Sequence, residues 1–256
     1  MGTSAIVECR CWEDGLVGAP PIGVSRDLGR LAPLDRTASI ERRIAFDRWR
    51  SSACAHDDMI ASFEPVGTAL DIQSFLDAFL EVDPSGVEFG HVLTNLRANG
   101  EGVIASDDVE SAAAQLEAMA LVTREWTRPR LVDASTGAVI SAPTVGLGNV
   151  VFFDGARGVR MSLEERSMVV TFRDGGRTVL GSRATQRFDE AAGEFIYRGG
   201  GSTVRSMFGL ADAAGGDVTI EVAEETFTVE RFEPQLIALR RSFAVARHLD
   251  HPVAFE

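Results

Sequence analysis

VVTFRDGGRTVL, residues 169–180, is the stretch whose reading decides the fold. Val169, Val170, Thr171 and Phe172 are β-branched or aromatic, and a second short run, Arg177 to Leu180, follows Asp174-Gly175-Gly176. Glycine supplies the positive φ that tight hairpin turns require, so the segment reads as two antiparallel strands. The pattern repeats on both sides. LVDASTGAVI (131–140) turns at Ser135-Thr136-Gly137, VVFFDGARGVRMSL (150–163) at Asp154-Gly155, and QRFDEAAGEFIYR (186–198) at Ala191-Ala192-Gly193. VTIEVAEETFTVERF (218–232) reads as one more hairpin. Turn residues at this spacing between strand-forming runs predict an antiparallel β-meander over residues 126–232.

Outside the meander the period changes to that of helices. A short strand is expected from Ala5 to Trp12, then a Gly/Pro-punctuated loop, then a helix over about 39–53 with Phe46, Trp49 and Ala53 on one stripe. Thr68 and Asp71 form a capping box ahead of Ile72, Phe75, Leu76, Phe79 and Leu80. A third helix starts at Ser106, where Asp107, Asp108 and Glu110 suit the positive end of the helix dipole. A closing helix runs from Glu233 to about Leu249, with Leu236, Leu239, Phe243 and Ala246 as the face laid on the sheet. The expectation is an α+β protein in one composite domain, 1–256. Residues 1–125 are mainly helical, 126–232 form the sheet and 233–250 the final helix.

The chain has 256 residues, of which 45% are hydrophobic, so its length and composition support a sizeable core without metal or disulfides. Its net charge of −13 disfavours general binding to phosphate backbones or anionic lipid. The cluster of Arg42, Arg43, Arg48 and Arg50 reads as a solvated helix face. All 25 basic residues are arginine. Without lysine there is no P-loop, no pyridoxal phosphate Schiff base and no protein-kinase ATP lysine. No run of about 20 apolar residues suggests a membrane span. The first residues lack the basic flank and apolar stretch of a signal peptide. Together with an odd cysteine count, this points to a reducing, cytoplasmic setting.

The three cysteines pair up as Cys9-Arg10-Cys11 and Cys54-Ala55-His56. Cys9, Cys11, Cys54 and His56 make a set of three thiolates and one imidazole, the closed tetrahedral donor set of structural zinc. In extended chain residues i and i+2 face the same way, so a strand reading lets Cys9 and Cys11 converge. Cys54 and His56 fall where the 39–53 helix ends, and Asp57 or Asp58 is placed to accept the other ring N–H of His56. Two other readings stay open: small buried hydrophobes, and a redox pair. Four protein donors leave no position for water, so such a zinc site is structural and not catalytic.

Cys9-Arg-Cys11, Pro20-Pro21, Trp49 four residues ahead of Cys54-Ala-His56, Asp133-Ala-Ser-Thr136-Gly137 and the closing His251-Pro-Val-Ala-Phe together resemble a group of uncharacterised bacterial proteins. The resemblance implies a cytoplasmic protein with a shared CxC/CxH corner and brings no activity with it. Elsewhere, His248 and His251 read as a helix C-cap pair and Gly199 to Thr203 as a turn between strands. Asp57, Asp58, Asp107 and Asp108 are the first carboxylates to consider for catalysis, but surface acid or helix start is the preferred reading of both pairs. Two functions follow as expectations. The first is an acidic interaction protein, such as an immunity or inhibitor protein that binds a basic toxin or other protein partner. The alternative is a small metal-independent hydrolase or transferase with its site between the helical half and the sheet. The oligomeric state is left open.

Overall fold

The computed structural model describes residues 2–27, 29–35, 37–96, 102–141, 150–155, 158–211 and 216–256. The chain begins with β1 (Gly2–Glu8), β2 (Val24–Asp27) and β3 (Arg30–Pro33), followed by α1 (Ile40–Ser52), β4 (Ile60–Thr68) and α2 (Ala69–Val82). After α3 (Gly90–Asn95), β5 (Gly102–Ile104) and α4 (Val109–Ala120) comes a run of strands. These are β6 (Trp126–Asp133), β7 (Val139–Ser141), β8 (Val150–Asp154), β9 (Val159–Glu164), β10 (Ser167–Phe172) and β11 (Arg177–Gly181). The run continues with β12 (Arg183–Asp189), β13 (Glu194–Gly199), β14 (Ser202–Ser206) and β15 (Val218–Phe227). α5 (Glu233–Leu249) and β16 (Val253–Phe255) close the chain. The fold is mixed α+β. It forms two compact units, Met1–Arg124 with Val229–Glu256, and Glu125–Thr228.

In the first unit the expected mainly helical segment is overturned. β1, β4 and β5 lie within it, and β16 joins them in an antiparallel sheet ordered β4-β1-β16-β5. β5 and β16 are three-residue strands, too short to display alternation, and β16 is buried throughout. β4 carries Pro65, which an edge strand tolerates because one row of its backbone groups is unpaired. The register shifts between Thr3 and Ser4, opposite Gly67 and Pro65.

α2 starts as its capping box dictates. The Asp71 N–H donates to Thr68 Oγ1 at 3.2 Å, and the Thr68 N–H donates to Asp71 Oδ2 at 2.9 Å. Phe75 and Phe79 of α2 pair with each other at 4.8 Å and meet Phe89 and Phe232 in tilted and edge-to-face pairs with centroids 5.6–5.9 Å apart. α5 buries Leu236, Leu239, Phe243 and Ala246 as its periodicity requires, and it packs on β1 and β4 of its own unit. It ends at Asp250, whose left-handed backbone caps the helix.

The second unit holds the meander in two antiparallel sheets, ordered β11-β10-β9-β8 and β14-β13-β12-β15-β6-β7. The hairpins at Asp174-Gly175-Gly176 and at Asp189–Gly193 form where the glycines allow. The turn after Asp154-Gly155 runs into residues 156–157, which lie outside those described. The 218–232 segment is not a hairpin. β15 runs unbroken for ten residues and pairs with β6 from Ile220 to Phe227, before a 3₁₀ turn at Val229–Phe232. Within the strand Glu224 and Glu225 simply point to opposite faces. Inward residues Leu131, Met161, Leu163, Met168, Tyr197 and Ile220 form the core of this unit.

Candidate metal centre

β1 stops at Glu8, so the CxC pair does not sit in a strand reaching Trp12. The Cys9 N–H still donates to the Met59 carbonyl at 2.7 Å, in line with the β1–β4 ladder. Beyond it the chain turns, held by the Asp14 N–H on the Arg10 carbonyl and the Leu16 N–H on the Cys11 carbonyl, both at 2.8 Å. The two sulfurs therefore converge through a turn and not through a pleat.

The other two donors come from the exit of α1. Its N-cap is Ser39, and its last turn passes through Ala53 into Cys54. His56 leads into a 3₁₀ turn at Asp57–Met59, in which Asp58 (φ 46°) and Met59 (φ 57°) are left-handed. Non-glycine residues in that region cost about 1 kcal/mol or more each and persist only where their surroundings fix them. Here the surroundings do so. Met59 is fully buried with Cys9, Leu31 and Phe46, and the Asp58 carbonyl accepts from Arg50 Nε at 3.1 Å.

The donor atoms of Cys9, Cys11, Cys54 and His56 all lie within 4.8 Å of one another. Cys9 Sγ to Cys54 Sγ is 3.7 Å, Cys11 Sγ to His56 Nδ1 is 3.4 Å and Cys54 Sγ to His56 Nδ1 is 3.6 Å. A tetrahedral ion with sulfur at about 2.3 Å and nitrogen at about 2.0–2.1 Å has S···S edges of about 3.8 Å and S···N edges of about 3.6 Å. Three of the six donor separations thus stand at the edge lengths of one small tetrahedral cation, and the other three lie within 4.8 Å. Among the described residues this is the one group of three or more His, Cys, Asp or Glu side chains found so arranged. Burial pushes the Cys9 thiol up to about 12 and raises Cys11 as well. Without a cation, then, these are protonated thiols, and a bound metal ion reverses this by stabilising thiolate directly.

No protein family, curated protein or solved structure matches this chain. What the corner does must be read from its own chemistry.

A polar cluster that the sequence reading missed lies beside the donors. The carboxylate of Glu8, with no side-chain exposure, accepts from Arg26 Nη1 at 2.8 Å, Arg30 Nε at 3.0 Å, Arg50 Nη2 at 2.9 Å and the Leu31 N–H at 2.8 Å. Arg26 also pairs with Glu13, and Arg30 with Glu256. One buried carboxylate thus fastens the β2–β3 hairpin and α1 to the residue preceding Cys9. Nothing local signals this, because the three arginines lie 18, 22 and 42 residues away in sequence.

Other expected residues fall as follows. Among the described residues neither Asp57 nor Asp58 hydrogen-bonds the His56 ring, and Asp58 contributes only its carbonyl. Asp108 lies 3.8 Å from His91 Nδ1 at the start of α4. Gly200 and Gly201 are left-handed in the β13–β14 turn. His248 lines an apolar recess of about 520 Å³ together with Cys9, Cys11, His56, Leu16 and Val245. His251 is buried, with Nε2 3.5 Å from Arg26 Nη2. Burial, then the charge of Arg26, lowers its pKa. Arg42, Arg43 and Arg48 are exposed on α1, whereas Arg50 turns inward to Glu8. No helix among the described residues is long and apolar enough to cross a membrane.

Proposed function

We propose that Cys9, Cys11, Cys54 and His56 hold a zinc ion as a closed structural site that ties the end of β1 to the end of α1. The observation that carries this reading is the match between the three donor separations and the edges of a tetrahedron of three sulfurs and one nitrogen. The donor set favours zinc or another soft, tetrahedral ion over magnesium or calcium, which take oxygen donors. Four protein donors fill the coordination sphere, so the ion orders the corner and leaves no position for an activated water. Cobalt substitution tests the geometry. Cobalt(II) should give the intense visible bands of tetrahedral thiolate coordination, and equimolar zinc should bleach them. A weak octahedral spectrum would rule the reading out.

For the chain as a whole we propose binding of a cationic protein, in the manner of an immunity or inhibitor protein. The support is the charge of −13, which steers a basic partner at long range. Capture of a basic protein whose association slows as salt rises would support this reading. Association that is insensitive to salt would count against it.

A further inference from the structure

We infer that Cys9 and Cys54 are a peroxide-sensitive modification site, at which oxidation replaces the metal crosslink of the corner with a covalent one. This rests on the zinc reading above and assigns its chemistry under oxidant.

The four donors are not equivalent. Cys9 Sγ and Cys54 Sγ lie 3.7 Å apart and come from the two segments that the site joins, while Cys11 Sγ lies within 4.8 Å of both. Cys11 and His56 form the opposite edge at 3.4 Å, and both line the apolar recess, as does Cys9. Cys9 is 1% exposed, whereas Cys54 is partly exposed. The S–S bond length is about 2.05 Å, so closing the pair needs the sulfurs to approach by less than about 2 Å. The Cys11–His56 edge has no covalent alternative of this kind.

The oxidant is a hydroperoxide, with hydrogen peroxide as the simplest member. The Cys54 sulfur attacks one peroxide oxygen. An S–O bond forms, the O–O bond breaks, and the departing hydroxide takes a proton to become water. The Cys9 thiolate then attacks the Cys54 sulfur. An S–S bond forms, the S–O bond breaks, and a second hydroxide is protonated to water. Two thiolates lose two electrons, one peroxide gains them, and two protons are consumed. The metal, left with Cys11 and His56, is released. The two segments stay joined through residues 9 and 54, while the Cys11 thiol and the His56 ring are freed on the wall of the recess.

The test uses the full zinc-loaded chain and hydrogen peroxide, with released zinc read by a chromogenic chelator and cysteines mapped by non-reducing peptide mass spectrometry after alkylation. The expected result is release of the bound zinc in step with a Cys9–Cys54 disulfide, with Cys11 alkylated as a free thiol. Reductant should then restore zinc binding. Zinc retained at full oxidant dose, a disulfide that includes Cys11, or sulfinic acid in place of any disulfide would overturn the inference. Failure of the underlying reading looks different. Protein that never takes up zinc defeats the structural site, whereas zinc-loaded protein that does not form the 9–54 bond defeats only this inference.

Discussion

Arg50 Nη2 lies 2.9 Å from Glu8 Oε1 while its Nε donates to the Asp58 carbonyl at 3.1 Å. One guanidinium therefore links the end of α1 to the residue before Cys9 and to the turn after His56. The polar cluster and the cysteine cluster act on the same pair of segments, one through charge and one through donor atoms. Lysine carries a single point donor and does not reproduce this fork. Arg50→Lys should weaken zinc affinity by about tenfold, the lower end of what outer-shell partners contribute. A competition titration checks this, and an unchanged affinity would separate the two clusters.

Glu8 has three arginines around one buried carboxylate. Glu8→Gln keeps the shape and removes the charge, leaving the guanidinium groups without their counter-ion. Because those groups retain some solvent contact, we expect a loss of about 3 kcal/mol, the low end for a broken buried pair. Urea unfolding measures it. A loss under about 1 kcal/mol would mean that the cluster behaves like a surface ion pair.

His251 supplies a pH signature. Its folded pKa is lowered from 6.5, chiefly by burial. The unfolded chain therefore binds the proton more readily than the folded one. This group's contribution is fully present above about 6.5, is lost as pH falls below that value, and levels off beneath the folded pKa. The slope of stability against pH in that window should be flatter in His251→Asn than in the wild type. Identical slopes would show that the imidazole is not held neutral.

Thr68 offers a contrast remote from the donors. Thr68→Ala removes the side-chain acceptor of the α2 capping box and should cost about 1 kcal/mol. Zinc content should be unchanged. A parallel loss of metal would mean that any destabilisation opens the corner.

Local rules explain what was legible in the sequence. The capping box of α2, the buried stripe of α5 and the glycine turns at Asp174–Gly176 and Asp189–Gly193 each depend on residues a few positions apart, and each forms as read. The set of three cysteines and a histidine was legible from spacing. Its route to convergence was not, since β1 ends at Glu8 and the turn at Arg10–Leu16 brings the sulfurs together. β5 and β16 were hidden because three residues carry no period, and their pairing with β1 is a tertiary event. Residues 218–227 form one strand and not half of a hairpin because β15 pairs with β6, a long-range pairing that no local pattern shows. The Glu8 cluster joins residues far apart in the chain, and no window of sequence contains it.

Whether the four donors hold one zinc ion is tested most directly by elemental analysis of protein purified without chelator and dialysed against metal-free buffer, with Cys54→Ser alongside. About one zinc per wild-type chain is expected, as one closed site with four protein donors requires. The variant should hold almost none and should unfold at a lower midpoint. Wild-type protein without zinc, or equal zinc in both proteins, would contradict the assignment.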